Sequence, residues 1–240
     1  MTRDGLGGFW VYLQAGPLLW LTLTLAAYLL AHWLFQRSGR HPLVNPVAIA
    51  VLLLVALLVA TGTPYETYFE GAQFVHFLLG PATVALAVPF FQHLGTVRKV
   101  LVPMLAALAA GALTAILSTV GVAWALGASR ETIVSLAPKS VTTPIAMAIS
   151  ERLGGLPSLT AALVILTGII GAMVATPLLN ALRLTDWRAR GFGTGVAAHG
   201  IGTARAFQGH EIAGTFAGIA LGLNGLVTAL LAPLVLAWLR

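Results

Sequence analysis

The stretch Ser135-Leu136-Ala137-Pro138-Lys139-Ser140-Val141-Thr142-Thr143-Pro144-Ile145-Ala146-Met147 places one lysine, several hydroxyls and two prolines in a chain otherwise dominated by Leu, Ala, Val and Gly. Hydrophobic residues are 58% of the 240 and charged residues 8%, whereas a soluble domain carries about 25% charged. The setting is therefore a membrane. There an ammonium costs about 2.5 to 3.5 kcal/mol, and each proline breaks a helical hydrogen bond. A segment that bears both reads as a binding site. The bland alternative is a Lys139 that snorkels to an interface and threonines that bond back to their own helix.

Working outward, Phe9 to Phe35, Pro46 to Thr63, Val100 to Leu126, Pro157 to Leu182 and Ile212 to Leu239 are near or above the roughly 18 to 20 apolar residues that cross a bilayer. Segments 71–92, 131–150 and 191–207 are apolar but broken by Gly and Pro. The expected fold is an all-α polytopic membrane protein of about 7–8 membrane segments, two or three of them interrupted or re-entrant, with an inverted-repeat carrier as one architecture. Residues 1–240 are expected to form a single integral membrane domain.

Thirteen Lys and Arg against seven Asp and Glu give a formal charge of +6. Arg37, Arg40, Arg98, Lys99, Arg183, Arg188 and Arg190 sit in short connections, as cytoplasmic loops do, and no nucleic acid is implied; the loop with Glu66 and Glu70 is acidic. A single crossing by 131–150 would send the Arg183/Arg188/Arg190 loop outside. A re-entrant 131–150, entering and leaving on the outer side, keeps that loop cytoplasmic. The absence of Cys excludes disulfides and thiolate ligands. Phe9 to Phe35 is too long for a signal-peptide core of about 7 to 15 residues, so a membrane segment is expected there.

Pro138 suits the first turn of a helix, which would leave the Lys139, Ser140 and Val141 N–H groups unpaired. A helix start carries about half a positive charge and Lys139 adds a full one, so the complement is an anion such as a carboxylate. Pro144 removes the donor that would have reached the Ser140 carbonyl. That carbonyl needs a partner, with the Thr142 and Thr143 hydroxyls, water or a bound cation as candidates.

The second constellation is Gly193-Thr194-Gly195-Val196-Ala197-Ala198-His199-Gly200-Ile201-Gly202-Thr203-Ala204-Arg205. Glycines at 191, 193, 195, 200 and 202 each cost a helix about 0.8 to 1 kcal/mol, which predicts a bend or an unwound turn. No phosphate-loop spacing is present. If helical, His199 and Thr203 share a face while Arg205 points elsewhere; if unwound, all three converge. His199 either couples protons or hydrogen-bonds a neighbouring backbone. Asn224 with Thr228 is a polar pair that faces the site or bridges two helices. Gly214, Gly218 and Gly222 form a small-residue stripe expected to admit another helix. Leu79-Gly80-Pro81-Ala82-Thr83-Val84 weakly echoes Leu136 to Val141, with Pro89 and Pro144 following.

No enzyme is expected. Glu66, Glu70, Glu131, Glu151, Asp186 and Glu211 have no paired-carboxylate spacing, H-E-x-x-H and G-x-S-x-G are absent, and no cofactor or metal is implied.

Three motifs, Pro138 to Ala146, Gly154-Gly155-Leu156-Pro157-Ser158-Leu159-Thr160-Ala161 and His199 to Arg205, closely resemble the LrgB/CidB family over nearly the whole chain. One departure is Ala198, where serine is expected in many members. The resemblance implies a multi-pass protein of the bacterial plasma membrane, partnered with a small LrgA/CidA-type holin-like protein and linked to murein hydrolase activity and autolysis. It extends to the membrane domain of the plant plastid glycolate/glycerate transporter, which implies small hydroxycarboxylates or related monocarboxylates such as glycolate, glycerate, lactate or pyruvate, with proton or cation coupling as an option. A holin-like pore has no evident use for Lys139 at a helix break, whereas a carrier does. The expectation is therefore a secondary transporter of small organic anions, in a homodimer. Lys139, Ser140, Thr142 and Thr143 would hold the carboxylate, with His199 or Arg205 opposite and Thr203 and Asn224 completing the candidate set.

Overall fold

The computed structural model describes residues 16–85 and 87–237, and every regular element among them is a helix. The chain divides into two compact units between Ala85 and Leu86.

The first unit holds α1 (Pro17–Arg37), α2 (Pro46–Thr61), α3 (Tyr65–Phe77) and α4 (Leu79–Ala85). Proline opens α1 and α2, where its missing N–H is harmless. The Asn45 side chain caps α2 by accepting from the Val47 and Ala48 N–H groups at 2.9 and 3.1 Å. Gly71 of α3 abuts α1, since a Cβ there would lie 2.2 Å from the Pro17 carbonyl oxygen. Beside that contact Trp20 packs edge-on against Tyr68.

The second unit begins with α5 (Ala87–Gln92) and α6 (Leu94–Lys99), followed by α7 (Leu101–Ala125), α8 (Arg130–Leu136), α9 (Thr143–Leu153), α10 (Pro157–Ala181), α11 (Trp187–Gly209) and α12 (Glu211–Leu236). α1, α7, α10 and α12 are long and apolar enough to cross a membrane. α2 is apolar but has 16 residues. Leu226, Leu230 and Leu234 of α12 are more than 60% exposed. Leucine outside and small or polar residues inside is what lipid demands. These helices match the expected apolar runs, except that Phe9 to Ala15, Trp238 and Leu239 lie outside the described residues. Segment 71–92 is broken as expected, into α3, α4 and α5.

Two stretches in this unit double back. α11 departs from helical geometry at Ala198 (φ −125°, ψ 17°) and His199 (φ 39°, ψ −133°). Its two ends nevertheless meet: the Trp187 ring stacks on His210 at 4.9 Å between centroids. A straight helix of 23 residues would hold them about 34 Å apart. α11 is therefore a hairpin with arms 187–197 and 200–209. The first arm runs parallel to α12, with Gly191 against the Ala213 carbonyl and Gly195 against the Ala217 carbonyl. The α8–α9 pair folds back similarly. The Leu156 N–H, just past α9, donates to the Ser135 Oγ of α8 at 2.8 Å, and Gly155 lies against Ser135 and Ser150.

The glycine expectation for α12 needs correction. Gly222 faces open space and Gly214 lies against the Phe207 ring. The close seam is made by glycines of α11 on Ala213 and Ala217 of α12, because a helix passes near the carbonyls of its neighbour only where the Cβ is missing on one side and small on the other. The echo also separates on structure, since residues 79–85 are helical whereas 137–142 are turn and extended chain.

Candidate functional site

The hairpin tips converge on α12. The Asn224 amide donates to the Ser140 carbonyl at 3.2 Å and to the Val196 carbonyl at 3.1 Å. Thr228 Oγ1 donates back to Asn224 Oδ1 at 3.4 Å and so orients the amide. Ser140, Val196, Asn224 and Thr228 are all buried. The partner demanded by the Ser140 carbonyl, once Pro144 has removed its helical donor, is thus Asn224 and neither threonine. In the sequence Asn224 stands 84 residues from the carbonyl it satisfies.

The helix start is also displaced from expectation. The Lys139 N–H donates to the Leu136 carbonyl at 3.1 Å and the Val141 N–H to the Pro138 carbonyl at 3.2 Å, so both are satisfied in a turn. The next helix begins at Thr143, with Thr142 as N-cap and Pro144 within its first turn. Pro138 ends one arm rather than opening the other.

Lys139 is half-buried. Its ammonium donates to Ser140 Oγ at 3.4 Å, and among the described residues no carboxylate lies within ion-pair distance of it. Lys139 and Ser140 line one end of a cleft of about 860 Å³. Thr114 and Ala115 of α7 line it as well, Thr114 exposed and Ala115 half-buried. Val100, Asp186 and Arg188 line the opposite end, and the walls between include Pro103, Met104, Ala107, Phe192 and Phe216. There Arg188 Nε donates to both Asp186 carboxylate oxygens, at 3.0 and 3.1 Å. Hydrogen bonding from the Arg188 side chain holds the Asp186 carboxyl down to about 2, so the pair stays charged and self-neutralised above that pH.

The other expected site residues do not line the large cavity. His199 Nε2–H donates to the Val164 carbonyl of α10 at 2.9 Å, since a carbonyl can only accept. Gly168 makes room for the imidazole, because a Cβ there would lie 2.6 Å from its Cε1. The Thr203 hydroxyl donates to the His199 carbonyl at 2.8 Å. Arg205 lines a separate small cleft with Trp187, Arg190 and Gly209. Thr142 and Thr143 are half-buried and do not line the large cavity. His199 and Arg205 therefore do not stand opposite Lys139 across one opening, as expected. The bend in α11 reverses the chain, which aims His199 at α10 and carries Arg205 back toward the hairpin's open end.

Sequence reasoning missed one polar cluster. Thr160 Oγ1 lies within hydrogen-bond distance of the Ser135 carbonyl (3.1 Å) and Ser150 Oγ (2.8 Å), with all three side chains buried. Gly154, at φ 83°, provides the left-handed residue that ends α9 and starts the return. The Gly154-Gly155 pair was the available signal.

Fold and site together define a polytopic α-helical membrane protein with two helical hairpins joined at their tips beside a half-buried lysine. Residues 24–238 match the model of the LrgB-like family, and the chain belongs to that family. It is 36% identical over 219 residues to YwbG of Bacillus subtilis strain 168, described only as uncharacterized, covering 91% of this chain and 97% of that one. It is 29% identical over 225 residues to the holin-like protein CidB of Staphylococcus epidermidis (94% and 97%), and 29% identical over 218 residues to the antiholin-like protein LrgB of Bacillus cereus (91% and 95%). No solved structure matches the chain.

Proposed function

We propose that this bacterial multi-pass membrane protein is a component of a holin/antiholin-type system, acting with a small LrgA/CidA-type membrane partner to modulate murein hydrolase activity and autolysis. The names of its relatives support that role directly. A second reading, on what the molecule does within that role, is favoured by one observation: among the described residues Lys139 meets no carboxylate, and it lines a cleft where two hairpin tips join. On this reading the chain moves small organic anions, such as monocarboxylates, with Lys139 and Ser140 holding the charged group.

The plan of the second unit supports a carrier of inverted repeats. A hairpin precedes α10 and another precedes α12, and α10 lies between them, so the two hairpins would insert from opposite faces. Gly168 and Gly171 stand at the same distance from the start of α10 as Gly222 and Gly225 from the start of α12. Counted this way, the chain has about 7–8 membrane segments in one integral domain, and it is proposed to work as a homodimer.

Anion flux into proteoliposomes tests both readings. A carrier gives a saturating curve that Lys139→Ala abolishes while the protein still inserts. Non-saturating, voltage-driven flux that survives Lys139→Ala would discard the carrier and leave the holin-like pore.

A further inference from the structure

Resting on the first reading above, that the chain acts with a small membrane partner, we infer that the cleft seats a transmembrane helix of that partner, and that this helix carries one carboxyl group near its midpoint, which pairs with Lys139. The cleft is an open groove. Its rims are exposed: Pro103, Ala107 and Thr114 along α7, and Ala189, Gly193 and Ala197 along the first arm of α11. Both rims recur at helical spacing. The floor between them, Met104, Phe192 and Phe216, is buried. Nothing lies within 4 Å of a Cβ added at Gly193. The lipid-facing side of α12 carries leucine instead, with Leu226, Leu230 and Leu234 each more than 60% exposed. Small rims admit the close approach of another helix, which acyl chains do not require. From Val100 to Ala115 the groove runs along about 22 Å of helix axis, most of the roughly 30 Å hydrocarbon core that a spanning helix crosses.

Charge names the occupant. On α7 the groove stops at Ala115, and from Ile116 onward that helix shares a core with Ile133, Val134 and Ala137 of the α8 arm. Lys139, two residues further on, therefore stands where the groove ends, close to the midpoint of α7. Among the described residues no carboxylate lies within ion-pair distance of it, and an ammonium at membrane depth calls for a counter-charge. A second copy of this chain brings none. Of the four helices long enough to cross, α1, α7 and α10 contain no Asp or Glu, and α12 contains only Glu211, its first residue. A small solute would answer the charge but leave the length of the groove to lipid. A helix of another protein with one acid near mid-span answers both. Alone in lipid that acid is neutral, and beside Lys139 it ionises.

The probes are three synthetic Leu/Ala transmembrane peptides of about 20 residues, with Glu, Gln or Leu at the centre, each bearing an acceptor dye. The protein carries a donor dye on Thr185→Cys, and energy transfer is titrated in liposomes. The expected result is saturable association, with the Glu peptide at least about tenfold tighter than the Gln peptide, a preference that Lys139→Met removes. Gly193→Leu, which fills one rim where space is open, is expected to weaken the Glu peptide at least about tenfold. Equal binding of the Glu and Gln peptides, a Glu preference that survives Lys139→Met, indifference to Gly193→Leu, or no saturable transfer with any peptide would each overturn the seat. These measurements do not involve autolysis. If the peptides behave as expected while cells carrying Gly193→Leu lyse at the parent's rate, the autolysis reading fails and the seat stands.

Discussion

A single amide at position 224 ties together two turns of backbone that have no helical partner. Ser140 and Val196 both lie where a helix has stopped, and both carbonyls are satisfied by the same NH2 group. Leaving a buried carbonyl unpaired costs about 1 to 3 kcal/mol. Asn224→Asp keeps the shape but removes both donors, so it is expected to destabilise the protein by about 2 to 4 kcal/mol. Thr228→Val, which removes only the orienting hydroxyl, is expected to lose about 1 kcal/mol or less. Thermal unfolding in one detergent compares them, and an Asn224→Asp variant as stable as the parent would show that the tips hold without this amide. The sequence marked Asn224 as polar in an apolar helix, yet its partners lie on two other segments. Only the tertiary fold chooses between facing a site and bridging helices, and here it bridges.

At the level of elements, the α11 hairpin lies on α12 because two residues lack a Cβ. A methyl at Gly191 would lie 2.0 Å from the Ala213 carbonyl oxygen and one at Gly195 2.2 Å from that of Ala217. Backbone cannot step aside as a side chain can. Gly191→Ala and Gly195→Ala are each expected to destabilise by about 1 to 3 kcal/mol through overpacking. Gly193 has nothing within 4 Å of the same added atom, so Gly193→Ala is expected to be neutral or to stabilise by about 0.5 to 1 kcal/mol. Three glycines in one short run thus give opposite outcomes, and matched melting curves check them; equal losses at all three would mean that helix propensity, not the seam, governs. This contrast also shows where legibility ended. Glycine density predicted a disturbed helix, and Ala198 and His199 are non-helical. Composition carries no direction, however. Nothing in the run distinguished a bend from a full reversal, and the deciding contact, Trp187 on His210, joins residues that hydropathy treats as unrelated loop ends. The apolar spans were legible for the converse reason: lipid constrains each one locally, by length and composition alone.

For the second unit as a whole, the proposed re-entrant arrangement fixes which chain ends would share a membrane face. Val100 and Arg188 line the same end of one cavity, so the Lys99 connection and the 182–186 connection lie on one face. On that arrangement residues 126–129 and 154–156 are expected on the other, because α7 leads to the first hairpin and that hairpin returns its chain beside Ser135. The positive charge agrees: Arg98 and Lys99 accompany Arg183, Arg188 and Arg190, as a cytoplasmic face requires. A chain without cysteine gives a clean background for testing this. Single Lys99→Cys, Thr185→Cys and Gln208→Cys variants in intact cells are expected to resist a membrane-impermeant maleimide until the cells are opened. Arg130→Cys and Glu151→Cys are expected to react from outside. The informative pair is Arg130 with Glu151. If 130–153 crossed the bilayer once, these two would label from opposite sides, the Arg183 to Arg190 cluster would move outside, and Lys139 would sit within a span instead of at a tip; labelling of both from one side leaves the hairpin as the arrangement that satisfies charge and backbone together.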